Sequence, residues 1–202
     1  MTKKNNKKIQ TLKYVFSDWI CALIAWILFF FFRKYNEDPY FLDHYQLVFH
    51  DPNFIKGIVL VPIFWLMLHT ISGYYNNVFS KSRLKELGQT FFVVLLGVVI
   101  LFFATIIDDV IYSYKSYYVS FSMLFGLQFT LTYFCRLVIT TRTARKIHRK
   151  EIGFNTLIVG SHDNACDIYN EIENQVYSSG NIIVGFVNAF DWDEYKLAKY
   201  LP

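Results

Sequence analysis

The sequence predicts an α-helical membrane protein with four transmembrane helices, followed by a truncated α/β unit of the βαβ type. Three observations predict it. The 202 residues are 54% hydrophobic and 20% aromatic, with a mean hydropathy of +0.27, too apolar for an ordinary soluble domain of this length. Four separate runs reach the roughly 20 residues that a helix needs to cross hydrocarbon. The net charge of +4 is split, because residues 1–150 hold 18 of the 20 Lys and Arg with 8 of the 16 acids, while residues 151–202 hold 2 bases and 8 acids. A basic apolar part thus precedes an acidic tail. With 9 Gly, 4 Pro and 3 Cys, collagenous, disordered and disulfide-stapled classes are excluded. Cys21 and Cys135 lie in apolar stretches and Cys166 follows a turn signal, so reduced thiols are the simpler reading.

The spans run from Tyr14 to Phe32 (YVFSDWICALIAWILFFFF), from about Ile55 to Gly73, from Thr90 to Ile107 and from Val119 to Thr140. A helix lets a single apolar run satisfy its own backbone in lipid, so each is assigned as a helix. The first follows a basic start like a signal peptide, but its apolar core is too long and it lacks a small-residue cleavage pattern, so it is an uncleaved anchor. Bases beside the spans set the orientation. Thirteen fall on one side: Lys3, Lys4, Lys7, Lys8 and Lys13, then Lys81, Arg83 and Lys85, then Arg142, Arg145, Lys146, Arg149 and Lys150. Four fall on the other: Arg33, Lys34, Lys56 and Lys115. Both termini are therefore expected in the cytoplasm, with outer loops between spans one and two and around Asp108 and Asp109. Tyr35, Tyr40, Tyr45, Tyr112, Tyr114, Tyr117 and Tyr118 form the matching interfacial belt. The basic start serves this orientation and not nucleic acid, because a span follows it at once.

Ionisable residues inside spans single themselves out, since a charge in hydrocarbon is costly unless paired or near an interface. Asp18 lies about 6 Å into span one at 1.5 Å per residue, and His69 in span two and Arg136 in span four lie at a similar depth from the same side. Two readings stand: a structural Asp18–Arg136 pair with His69 as a neighbour or a snorkelling side chain, or a pocket in which Arg136 meets an anionic lipid headgroup.

After span four, TARKIHRKEIGF is a basic exit segment that extends the helix until Gly153. Thr156–Val159 is a short apolar run bounded by glycines, a strand; Gly160, Ser161, His162 and Asp163 form a turn. A helix from about Asn164 to Val176 carries Ala165, Ile168, Ile172 and Val176 on one face, and Ile182–Val187 is a second strand. Asp191 and Glu194 form a capping box for a last helix to Lys199. Strand, glycine turn, helix, strand is the first unit of a Rossmann-like parallel sheet. One crossover cannot cover both faces, and about 50 residues fall below the usual domain size, so a chain ending at Pro202 is expected to be truncated. Against the dinucleotide fingerprint, Gly160 fills the first glycine position, His162 the second and Ala165 the third, and Asn188 stands where an acid would hold a ribose. The turn is thus a weak phosphate or nucleotide site at a helix N-terminus, or purely structural.

Taken in order, four spans, GFNTLIVGS and NIIVGFVNA, with ISGYY (Ile71–Tyr75) ending span two, SRLKELGQT (Ser82–Thr90) leading into span three and SYKSYYVSF (Ser113–Phe121) before span four, resemble a known family. The chain is similar along nearly its whole length to the N-terminal half of polyprenyl-phosphate sugar-1-phosphate transferases of the Bacteroidetes type, which start exopolysaccharide, capsule or O-antigen synthesis. The resemblance implies a multi-pass protein of the bacterial inner (cytoplasmic) membrane. It implies transfer of a sugar 1-phosphate from a nucleotide sugar to undecaprenyl phosphate, with Mg²⁺ in a later catalytic domain outside this chain. No catalytic residue or metal ligand is carried over, and no cofactor is assigned to these 202 residues. Implied partners are membrane lipid, undecaprenyl phosphate, a second copy and polysaccharide-assembly proteins. Membrane nucleotide-sugar 4,6-dehydratases look similar in their N-terminal part, and a standalone non-catalytic membrane scaffold is the third alternative.

The charge count makes a direct prediction. A protease-sensitive tag at the C-terminus should survive external protease on intact cells and be cut in inverted vesicles; cleavage from outside would reverse the topology.

Overall fold

The computed structural model describes residues 3–37, 45–76, 82–106, 114–160 and 162–187. Four of its helices are long and apolar enough to cross a membrane. They are α1 (Lys3–Glu37), α2 (Pro52–Ile71), α3 (Arg83–Ile106) and α4 (Tyr114–His148). Beyond them lie β1 (Phe154–Val159), α5 (Asp163–Asn174) and β2 (Asn181–Val187), with a six-residue 3₁₀ helix at Tyr45–His50. Asp108 and Asp109, expected in an outer loop, Tyr40 and Tyr112 of the expected interfacial belt, Ser161, Asn188 and the segment from Asp191 to Lys199 lie outside the described residues.

α1 has neither Gly nor Pro in its 35 residues, so nothing in its own sequence breaks it. α2 begins with Pro52 at its first position, where the missing N–H is no loss. Asp51 caps it by accepting the Asn53 N–H at 2.9 Å and meets Lys34 of α1 at 3.2 Å. Partial desolvation opposes the charge on Asp51, yet the Asn53 N–H and the Lys34 ammonium hold its carboxyl below the ordinary carboxylate range. That tie is present above the usual carboxylate range and is lost as pH falls through the lowered value.

The chain forms two compact units, Met1–Thr140 and Thr141–Pro202. In the first, Trp26, Phe30, Phe54, Trp65, Val94 and Leu124 belong to one buried cluster. Its closest approaches depend on glycine. A Cβ on Gly57 would fall 2.1 Å from Trp26, and one on Gly97 would fall 2.5 Å from Trp65. Trp26 also donates its Nε1–H to the Phe54 carbonyl at 3.4 Å. Opposite faces of the same helices present Phe16, Leu60, Ile63, Phe92 and Phe103 outward, the reverse of a soluble bundle and what lipid requires.

In the second unit β1 and β2 pair in parallel. The register runs Phe154↔Asn181 to Thr156↔Ile183, then shifts by one residue and continues Leu157↔Gly185 to Val159↔Val187. Ile158, Ala165 and Ile183 form its small core, with Cys166, Tyr169, Ile172 and Phe186 packed against them. The other sheet face, Leu157, Val159, Ile182 and Val184, is exposed.

Several expectations need correction. Gly153 does not end the helix extension. α4 stops at His148, with the Lys150 N–H bonded to the Ile147 carbonyl and the Glu151 N–H to that of Lys146, around Lys150 at φ 59°. This is a Schellman cap with lysine where glycine is usual. Gly153 serves close packing, since a Cβ there would fall 2.4 Å from Ile182. β1 begins at Phe154, two residues early, because the Phe154 N–H already bonds the Gly180 carbonyl. The buried face of α5 is Ala165, Tyr169 and Ile172, at i, i+4 and i+7, with Ile168 half exposed; Val176 lies beyond the end of the helix at Asn174. The second unit also starts inside α4. Ile147 closes on Gly180, whose Cβ would fall 2.8 Å from it, and His148 Nδ1 meets the Ser178 carbonyl at 3.1 Å.

Two substitutions test these assignments. Gly57→Ala should lower the melting temperature of the detergent-solubilised protein by the equivalent of about 1–3 kcal/mol, the usual cost of overpacking. Lys150→Gly should stabilise the second unit by about 1 kcal/mol by relieving a left-handed backbone, since the exposed Lys150–Glu173 pair at 3.7 Å that it removes contributes little.

Candidate functional site

The first unit gathers its buried charges into one polar clamp. Arg136 of α4 is wholly buried, and Asp18 of α1 is 2% exposed. The Arg136 Nε–H donates to Asp18 Oδ1 at 2.9 Å and an Nη2–H to Oδ2 at 2.7 Å, a bidentate pair. Nη1 donates to Thr90 Oγ1 of α3 at 3.1 Å. The flat face of the guanidinium lies 3.5 Å from the centre of the Tyr74 ring, a cation–π contact shielded from water. Tyr75 donates its hydroxyl to Asp18 Oδ2 at 2.8 Å. The Tyr74 hydroxyl donates to Glu86 Oε1 of α3. Tyr14 of α1 and Thr140 of α4 share a hydroxyl bond of 2.8 Å, and the Tyr14 ring meets Tyr74 edge to face.

A turn between α2 and α3 delivers the two tyrosines. α2 ends in a Schellman cap: the Gly73 N–H bonds the Thr70 carbonyl and the Tyr74 N–H bonds that of His69, with Gly73 at φ 69°. Gly73 is the residue free to adopt that angle, and it folds Tyr74 and Tyr75 back toward the bundle. At the other side of the connection Ser82 caps α3, accepting the Lys85 N–H on its hydroxyl and the Glu86 N–H on its carbonyl. Gln89 fastens the two ends together by donating to the Ser72 carbonyl at 3.0 Å.

The structure therefore brings Asp18 and Arg136 into direct contact and places His69 in the same cluster. His69 is buried, stacked on Trp65 at 5.9 Å and tilted against Tyr74 at 6.1 Å. Three of the five guanidinium N–H donors of Arg136 are used within the clamp, two on Asp18 and one on Thr90. Sequence reasoning missed Tyr14, Tyr74, Tyr75, Glu86, Thr90 and Thr140. Two signals were available. Gly73 just past the periodic residues of span two marks a C-cap. Gln128, Thr132, Arg136, Thr140 and Thr143 recur every three to four residues in an apolar span, and all are buried.

The turn of the second unit is separate. Gly160, at φ 112°, donates its N–H to the Val187 carbonyl at 2.8 Å, and a Cβ there would meet nothing within 4 Å. His162 is the N-cap of α5 without a side-chain capping bond, its carbonyl accepting the Ala165 N–H at 2.9 Å. Asp163 places a negative charge in the first turn, where a bound anion would sit. Among the described residues no three His, Cys, Asp or Glu side chains come together to hold a metal. A scan against models of protein families, a search of curated proteins and a search of solved structures each find no match for this chain.

Removing one partner of the pair should be severe. Arg136→Ala strands Asp18 and should cost about 3–5 kcal/mol, read as loss of folded yield after extraction. The double change Asp18→Leu with Arg136→Met should recover most of that yield if the pair is structural.

Proposed function

We propose that this chain is the membrane-anchoring and regulatory N-terminal portion of an enzyme that starts exopolysaccharide, capsule or O-antigen synthesis by moving a sugar 1-phosphate from a nucleotide sugar to undecaprenyl phosphate. In this reading both termini face the cytoplasm of a bacterium, and the parallel β1–α5–β2 segment is the opening unit of a Rossmann-like sheet. The observation that carries it is where the family-like motifs fall. ISGYY supplies the Schellman turn with Tyr74 and Tyr75, and SRLKELGQT supplies the cap of α3 with Glu86 and Thr90. Two segments that carry the resemblance are thus the segments that build the clamp. They join the ends of α2 and α3 to α1 and α4, which suits an anchor that must hold one shape. The partners in this reading are membrane lipid, undecaprenyl phosphate and other polysaccharide-assembly proteins.

The coding sequence beyond codon 202 tests the reading. A sugar-transferase domain supports it; a GxGxxG followed by Tyr-x-x-x-Lys would assign the chain to a nucleotide-sugar dehydratase, and a stop codon would favour the standalone scaffold. The 202-residue protein with UDP-glucose and undecaprenyl phosphate should give no transfer, and measurable turnover would overturn its role as an anchor.

A further inference from the structure

α4 carries two opposed stripes. At about 100° per residue, Thr132, Arg136, Thr140, Thr143 and Ile147 share one face, and all are buried. Roughly 130° around the helix, Arg142, Arg145, Lys146 and Arg149 fall within an arc of about 100°, and all four are exposed. The Arg149 N–H bonds the Arg145 carbonyl, so the helical repeat reaches the last of them although α4 is bounded at His148. Toward the middle of the helix the same outward face continues as Val138 and Phe134, the latter 64% exposed. It thus changes from apolar to basic where the run Val119–Thr140 ends. The described residues supply almost no counter-charge. The sequence has no acid from Val110 to Lys150. Arg149 meets Glu151 at 4.0 Å and Lys150 meets Glu173 at 3.7 Å, both exposed pairs, and no described carboxylate lies within 4.0 Å of Arg142, Arg145 or Lys146. Like charges three and four residues apart repel. Orientation depends on the number of bases beside a span, and the C-terminal dipole attracts cations all round the last turn. Neither selects a face.

We propose that Arg142, Arg145, Lys146 and Arg149 form a docking stripe for the phosphates of anionic phospholipids, whose tails lie against Val138 and Phe134 on the same face. Charge complementarity selects this occupant, and the apolar continuation of the stripe places it beside lipid tails. Three of the four bases are arginines, whose planar fork meets two phosphate oxygens at once. From Arg142 to Arg149 the stripe runs about 10 Å along the axis, a span that long side chains can gather into one headgroup layer by reaching up or down. The inference rests on the four helices spanning a membrane, and it is independent of the sugar-transferase reading.

The test reconstitutes the full chain in phosphatidylcholine vesicles and compares its association with spin-labelled phosphatidylglycerol and spin-labelled phosphatidylcholine of the same acyl chains. One basic side chain beside an anionic headgroup is worth about a fivefold gain in association, so wild type should prefer phosphatidylglycerol by at least about fivefold, and added salt should erode that preference. The neutral variant Arg142→Gln, Arg145→Gln, Lys146→Gln, Arg149→Gln should show almost none. A second variant, Thr141→Arg, Arg142→Thr, Ala144→Arg, Arg145→Ala, keeps the composition and net charge but turns two charges by about 100° each; its preference should fall at least about twofold below wild type, the loss of part of one such contact. Circular dichroism should give all three the same helix content. No headgroup preference in wild type, a preference indifferent to salt, or one unchanged in either variant would overturn the proposal. So would self-association of wild type that vanishes in the neutral variant while no lipid preference is seen, which would make the counter-charge the acidic tail of a second copy. Protein that fails to float with the vesicles would remove the membrane reading and this proposal together, whereas protein that floats without a preference overturns the proposal alone.

Discussion

An isolated charge has no solvent in hydrocarbon, and the clamp of the first unit answers that constraint. Arg136 and Asp18 are placed on helices at opposite ends of the bundle's sequence, and each is tolerable in an apolar span only in the presence of the other. The bidentate geometry makes the demand sharper than simple neutralisation. Two N–H groups must meet two oxygens in one plane, so α1 and α4 are held in one register and at one rotation. A slip of one residue would swing either side chain through about 100° and bury it unpaired.

The remaining polar groups complete what the pair leaves open. Tyr74 closes the guanidinium face and passes its hydroxyl to Glu86, Tyr75 takes a second lone pair of Asp18, and Thr90 takes the outlying nitrogen. All depend on a backbone device, the left-handed Gly73, which directs consecutive tyrosines to an acid on α1 and an acid on α3. Lys150 performs the same reversal at the end of α4 without glycine's freedom. There the cap is secured by what it turns toward, with Ile147 and His148 packed on the 178–180 segment.

The second unit shows a different economy. Its core is a handful of side chains between one helix and one face of a two-stranded sheet, while Leu157, Val159, Ile182 and Val184 stay exposed on the other face. Alternation along β1 was hidden in the sequence, since Leu157, Ile158 and Val159 are all apolar. Only pairing with β2 decided that Ile158 turns inward.

Apolar runs of spanning length, the lone charges within them, and the glycine-bounded strand, helix and strand were determined by the sequence itself, because each rests on composition and period along a single segment. The helices proved longer than the apolar runs, since α1 and α4 continue through polar ends where nothing local breaks them. Glu86 was unreadable for that reason: it precedes the apolar run of span three, and only the early start of α3 at Arg83 brings it into the bundle. The partners of Asp18 and Arg136 beyond each other were likewise decided by tertiary structure. A side chain's neighbours across four helices depend on their rotations and on the turn at Gly73, and no single segment contains that information.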